Sequence, residues 1–159
     1  MEPLAWLEWF GSLPFAAFLR RNVTAYVFVN AAHILGISLL LGAILPLDLR
    51  LMGIIRVGTL SELVPLLMRV AATGLALASL TGLMLFSVKP AEYAGNPAFL
   101  IKMGLLALGM INVAALHRNV NWPMAKRGAT PSVTLRLLAG LSFATWLAAL
   151  LAGRWIGFV

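Results

Sequence analysis

No cysteine occurs among the 159 residues. That absence removes disulfides, thiolate metal centres, iron–sulfur clusters and covalent c-type haem attachment together, and with them any reading of redox compartment from thiols. Charge is scarce as well. Only 11% of residues are charged, against about 25% in a soluble domain, so most of the surface faces something other than water. Acidic residues are the rarest, five against twelve Lys and Arg. Glu2, Glu8, Asp48, Glu62 and Glu92 all fall outside the apolar runs. The sequence therefore predicts no carboxylate inside a membrane, and argues against a carboxylate-based ion pump or a paired-carboxylate hydrolase. It contains no Ser/His/Asp set and no glycine-rich phosphate loop. Glu2 and Glu8 stand where a signal peptide carries positive charge, and no small-residue cleavage site follows, so no cleaved leader is expected.

Hydrophobic residues, by contrast, make up 62% of the chain, and its mean hydropathy is +0.96. They gather into runs that predict an all-α integral membrane protein, a single membrane domain over 1–159. Its core is a four-transmembrane-helix up-down bundle with spans near 23–45, 70–88, 98–120 and 137–156. Ahead of them, residues 4–19 (LAWLEWFGSLPFAAFL) are too short to cross and are interrupted by Gly11 and Pro14. Their crowded Trp and Phe residues predict an amphipathic segment lying at the membrane interface. Pro46, then Asp48 and Arg50, mark where the first span reaches water. Ser61 and Glu62 ahead of Pro65 predict a short helix entry in the first connection. The net charge of +7 is clustered between apolar runs, which suits anionic lipid headgroups and excludes a nucleic-acid face. The connections carrying Arg50, Arg56, Arg69, Arg118, Lys126, Arg127 and Arg136 hold the larger share of basic residues, so both termini are expected outside the cytoplasm.

The chain has two histidines, His33 and His117. His33 sits in the apolar run AAHILGISLLLGAIL, and an imidazole at such depth needs either a function or a bonding partner. The partner would be Asn30, one turn earlier, or a serine, asparagine or carbonyl of a neighbouring helix. His117 closes the third span beside Arg118. If Arg21 and Lys102 lie level at one boundary, the two imidazoles lie at similar depth; if the helix starts are level, they do not. Two imidazoles from different helices can hold haem b, with Arg118 as a propionate partner. Met103, Met110 and His117 recur at seven-residue spacing on one face. With His33 and Met110, soft thioether and imidazole donors would instead suit copper, although packing against lipid also explains such a stripe. Gly74, Ala78 and Gly82 form a small-residue strip that admits either a neighbouring helix or a flat cofactor.

The stretch FLIKMGLLALGMINVAALHRNV, with Lys102 early in the span and His117–Arg118 at its close, resembles the copper-resistance D family of bacterial inner-membrane proteins. AHILGISLLLGAIL resembles that family's histidine-bearing helix, and the Leu-Arg-Leu-Leu of the fourth span resembles its last. Two positions depart: His117 stands where the family has Asn, and no Trp follows His33. The resemblance extends to other small four-span bacterial inner-membrane proteins. It implies an inner-membrane bundle handling copper or haem, and the histidine at 117 shifts the expectation to haem. The function expected is thus a small membrane b-type cytochrome passing electrons to a redox partner or larger membrane complex, an electron carrier rather than a stand-alone enzyme. The alternatives are copper transport and a cofactor-free structural subunit. A homo-oligomer is compatible with each.

Overall fold

The computed structural model describes residues 5–159. Residues 1–4, which include Glu2 and the first residue of the expected interfacial segment, lie outside the described residues. Helices α1 (Ala5–Ser12) and α2 (Pro14–Arg21) form the aromatic N-terminal segment, broken at Leu13 where Pro14 takes the first helical position of α2. Proline suits that position because it lacks the N–H that would be orphaned there. The long helices are α3 (Val23–Met52), α4 (Leu60–Val88), α6 (Pro97–Arg118) and α8 (Val133–Trp155). Short helices α5 (Pro90–Gly95) and α7 (Trp122–Lys126) lie in the connections. All four long helices are apolar and long enough to cross a membrane, with window hydropathies between 1.7 and 2.1. The protein is a multi-pass, all-helical membrane bundle.

Side chains at the helix starts cap them. Asn22 accepts from the Ala25 amide at 3.0 Å, and Asn96 from the Phe99 amide at 3.1 Å, each satisfying one of the donors that a helix start leaves free. Asn96 also donates through Nδ2 to the Val159 carbonyl at 2.9 Å, which sets the start of α6 level with the chain's C-terminus. Arg20 donates to the Val88 carbonyl at 3.2 Å and so closes the end of α4 beside the start of α3. The starts of α3 and α6 therefore share one end of the bundle with the ends of α4 and α8.

Two of the expected boundaries move. The first span does not stop at Pro46: α3 runs through it to Met52 and ends at Gly53, whose φ of 81° is the left-handed geometry of a helix stop. A proline inside a membrane helix is tolerated because neighbouring helices compensate for the missing hydrogen bond. The expected entry helix near Ser61 is not separate from the second span. It is the first turn of α4, and Thr59 Oγ1 donates to Glu62 Oε2 there at 2.8 Å.

Packing divides the bundle into two hairpins. Helix α3 packs along α4, α6 packs along α8, and contact of α3 with α8 joins the pairs. Helices α4 and α6 meet chiefly through rings, with Phe86 stacked on Phe99 at 5.4 Å between centroids and Phe10 and Tyr93 beside them. At the opposite end Leu51, Leu60, Val64, Leu116, Trp122 and Leu135 close a buried apolar cluster. Large side chains such as Phe28, Ile34, Leu80, Leu100 and Ile111 point outward. An outward apolar face is what lipid tails accommodate and water does not.

Candidate functional site

Helices α3 and α4 approach so closely that their backbones touch. A Cβ on Gly36 would meet the Ala78 nitrogen at 2.6 Å, and one on Gly74 would meet the Leu40 nitrogen at 2.5 Å. Gly74 and Ala78 of the small-residue strip are thus occupied by α3 itself, the helix-packing use of such a strip, and leave no room for a cofactor. One turn further, at Gly82, the occupant is the ring of His33, whose Cε1 would lie 3.0 Å from an added Cβ.

That close approach fixes the imidazole. His33 Nδ1 lies 2.9 Å from the Ala78 carbonyl and 3.1 Å from Thr81 Oγ1. A carbonyl only accepts, so Nδ1 carries the proton and donates, leaving Nε2 as the basic nitrogen. Thr81 turns its own hydroxyl proton to the Leu77 carbonyl at 2.6 Å, which frees its lone pairs for the histidine. The expected local partner Asn30 is exposed and does not take part; the bond crosses to α4. Lys102 of α6 is half-buried, runs past Gly153 of α8, where an added Cβ would meet its side chain at 3.5 Å, and is close enough to His33 for its charge to act on the ring. It is an interior group of the bundle and does not mark its boundary.

The second histidine is elsewhere. His117 is exposed, donates through Nδ1 to the Val113 carbonyl of its own helix at 2.8 Å, and meets the edge of Trp122 with ring centroids 5.7 Å apart. Because the starts of α3 and α6 are level, His33 lies about 15 Å into the bundle and His117 about 30 Å, at ~1.5 Å per residue. The structure does not bring the two imidazoles together, and Arg118 stays with His117 at the far end. Met103 and Met110, both 47% exposed, lie with His117 on the outward side of α6, about a quarter turn round the helix from Lys102. Lipid packing accounts for that stripe, and it gives His33 no thioether companion.

A third polar group lies beyond Pro46, where the sequence predicts water. Asp48 is inside α3, buried, with Ser142 of α8 beside it, and not a solvated partner of Arg50. Arg50 turns away and donates to the Gly58 carbonyl at 3.1 Å. The signal available in the sequence was the spacing of Leu40, Ala43, Leu47 and Leu51 across Pro46, which keeps one helical face apolar through the proline. Among the described residues, no group of three or more His, Cys, Asp and Glu gathers as a metal cage.

No curated protein and no solved structure matches the chain. The profile of one protein family matches residues 8–159, nearly the whole length. This four-span bundle, with its histidine anchored across α3 and α4, belongs to the family of unknown function DUF6644.

Proposed function

We propose that this chain is a small membrane b-type cytochrome of the bacterial inner membrane, in which His33 Nε2 would hold haem b. One observation carries the reading: Nδ1 of His33 is tied to the Ala78 carbonyl at 2.9 Å. An imidazole held through one nitrogen by a carbonyl presents the other as an oriented, more basic lone pair, the usual setting of a metal-ligating histidine. Lys102, whose charge acts on His33, takes the role of propionate partner that Arg118 is too distant to fill. Haem b supplies a one-electron couple whose potential the apolar surroundings tune. The chain's own part is to hold the ring, place a cation beside it and keep water out with outward Leu, Ile and Phe side chains. A separate redox partner or membrane complex exchanges the electron. The basic residues from Arg50 to Arg69 and from Arg118 to Arg136 support a cytoplasmic placement for the end that carries α7, with both termini outside the cytoplasm. The likeness of the histidine helix to the copper-resistance D family supports the inner-membrane assignment. Copper handling is the weaker reading, since Met103 and Met110 face outward.

An optical spectrum of the purified protein tests this. A sharp Soret band that shifts on dithionite reduction is expected, lost in His33→Ala and retained in His117→Ala. A colourless preparation from cells supplied with haem overturns the reading, as does a band that survives His33→Ala.

A further inference from the structure

Away from His33, in the half of the bundle that carries α7, buried polar groups of α3 and of α6 both meet α8. Asp48 of α3 is 4% exposed, and its Oδ2 has no hydrogen-bond partner. The hydroxyl beside it belongs to Ser142 of α8. One turn before Ser142, the Leu138 carbonyl accepts from Asn112 Nδ2 of α6 at 3.0 Å. That bond holds the Asn112 amide at 3% exposure with its Oδ1 unpartnered. One turn after Ser142, Trp146 covers Gly109, itself one turn before Asn112. Asp48 of α3 and the Gly109–Asn112 face of α6 thus both meet the stripe Leu138–Ser142–Trp146 of α8.

Buried acceptors without donors are costly, and a buried carboxylate without a cation more so. Among the described residues, no group supplies the missing charge. Ser142 of α8 is the side chain beside Asp48, and the other buried side chains of this half, Thr145 and Trp146 of α8, Asn112 of α6 and Leu60 and Val64 of α4, do not ionise near neutral pH. No charged side chain acts on Asp48, and Arg50 is committed to Gly58. What completes the cluster is small, positively charged and suited to oxygen. We propose that Asp48, Asn112 and Ser142 form a binding site for one small monovalent cation, a proton or a sodium ion. Carboxylate, amide and hydroxyl oxygens are the donors that hard cations take, and a single carboxylate matches a single charge. The occupant bonds groups from three helices, so occupancy stabilises the bundle by mass action.

The test is the thermal midpoint of the full chain in detergent, followed by tryptophan fluorescence. Sodium chloride is exchanged for choline chloride at constant ionic strength, and pH is varied separately without sodium. A sodium occupant raises the midpoint by about 3 °C or more once sodium exceeds its dissociation constant tenfold. A proton occupant stabilises the folded state while bound, so the midpoint falls as pH rises through its release. Asp48→Asn abolishes whichever dependence the wild type shows. Should Asp48→Asn fail to fold, Ser142→Ala, which removes a ligand and keeps the charge, moves a sodium dependence to higher sodium, or a proton dependence to higher pH because the lost hydroxyl donates to the charged carboxylate. A wild-type midpoint indifferent to both cations overturns the proposal, as does a dependence unchanged in either variant.

Discussion

One methyl group decides the geometry at Gly36 and Gly74. Each faces backbone atoms of the other helix at contact distances that no Cβ tolerates, 2.6 Å and 2.5 Å, and backbone cannot swing aside as a flexible side chain can. Gly36→Ala or Gly74→Ala is therefore expected to push α3 from α4 and to cost about 1–3 kcal/mol as overpacking, read as a lower thermal midpoint in detergent. Gly104→Ala is the control: nothing lies within 4 Å of its added Cβ, and its midpoint should stay at or slightly above that of wild type. Gly82→Ala differs again, since it presses on the His33 ring rather than on backbone. It should perturb any spectrum that depends on His33 before it perturbs stability. Of these residues, His33 and the Gly74/Ala78/Gly82 strip stand out in the sequence as polar and small residues in apolar runs. Their pairing does not, because which carbonyl of α4 faces His33 is set by the crossing of two helices, a tertiary fact with no local periodicity.

Among the elements, α6 and α3 illustrate what ends a helix and what does not. Asn96 both caps α6 and ties it to Val159, so Asn96→Ala should cost about 1 kcal/mol and loosen the C-terminal turn. Faster proteolytic trimming of the C-terminus, with the rest of the chain resistant, is the expected readout; unchanged trimming would show the tie to be dispensable. Spans 98–120 and 137–156 were legible within a few residues because Asn96–Pro97 and Ser132 are start signals that act locally. Pro46 misled for the opposite reason. A proline ends helices in water, where the freed carbonyl finds solvent and the chain has no reason to go on. In an apolar bundle the chain gains by burying Leu47 and Leu51, and the helix runs on. A span that stops at Pro46 leaves everything beyond it in water, Asp48 included, so the burial of Asp48 beside Ser142 is not legible in the sequence.

For the whole molecule, ion pairs contribute little. The salt bridge found among the described residues, Lys89–Glu92, is well exposed at 60% and 68%, and such pairs are screened by solvent. Lys89→Ala should leave the thermal midpoint unchanged within error. Orientation is tested by single cysteines at Ser12, Ser61, Gly95 and Gly128, labelled from outside intact cells with a charged maleimide. Ser12 and Gly95 should label together, and Ser61 and Gly128 only after permeabilisation. Labelling of Ser61 together with Gly95 would refute the up-down topology.

The division into an α3–α4 leaf and an α6–α8 leaf, joined by the seam of α3 on α8, has a consequence for how the protein can be made. Each leaf satisfies its own backbone polar groups and closes its own hairpin, so each can enter a membrane before the other exists. The leaves are linked through Gly95, just ahead of the Asn96 that caps α6, and a Cβ on Gly95 would meet nothing within 4 Å. A gene cut there should yield two polypeptides that find each other in the bilayer and co-purify through a tag on one. Replacing Ala139, at 0% exposure, with a bulky residue in the second piece should reduce recovery of the first while leaving each hairpin inserted.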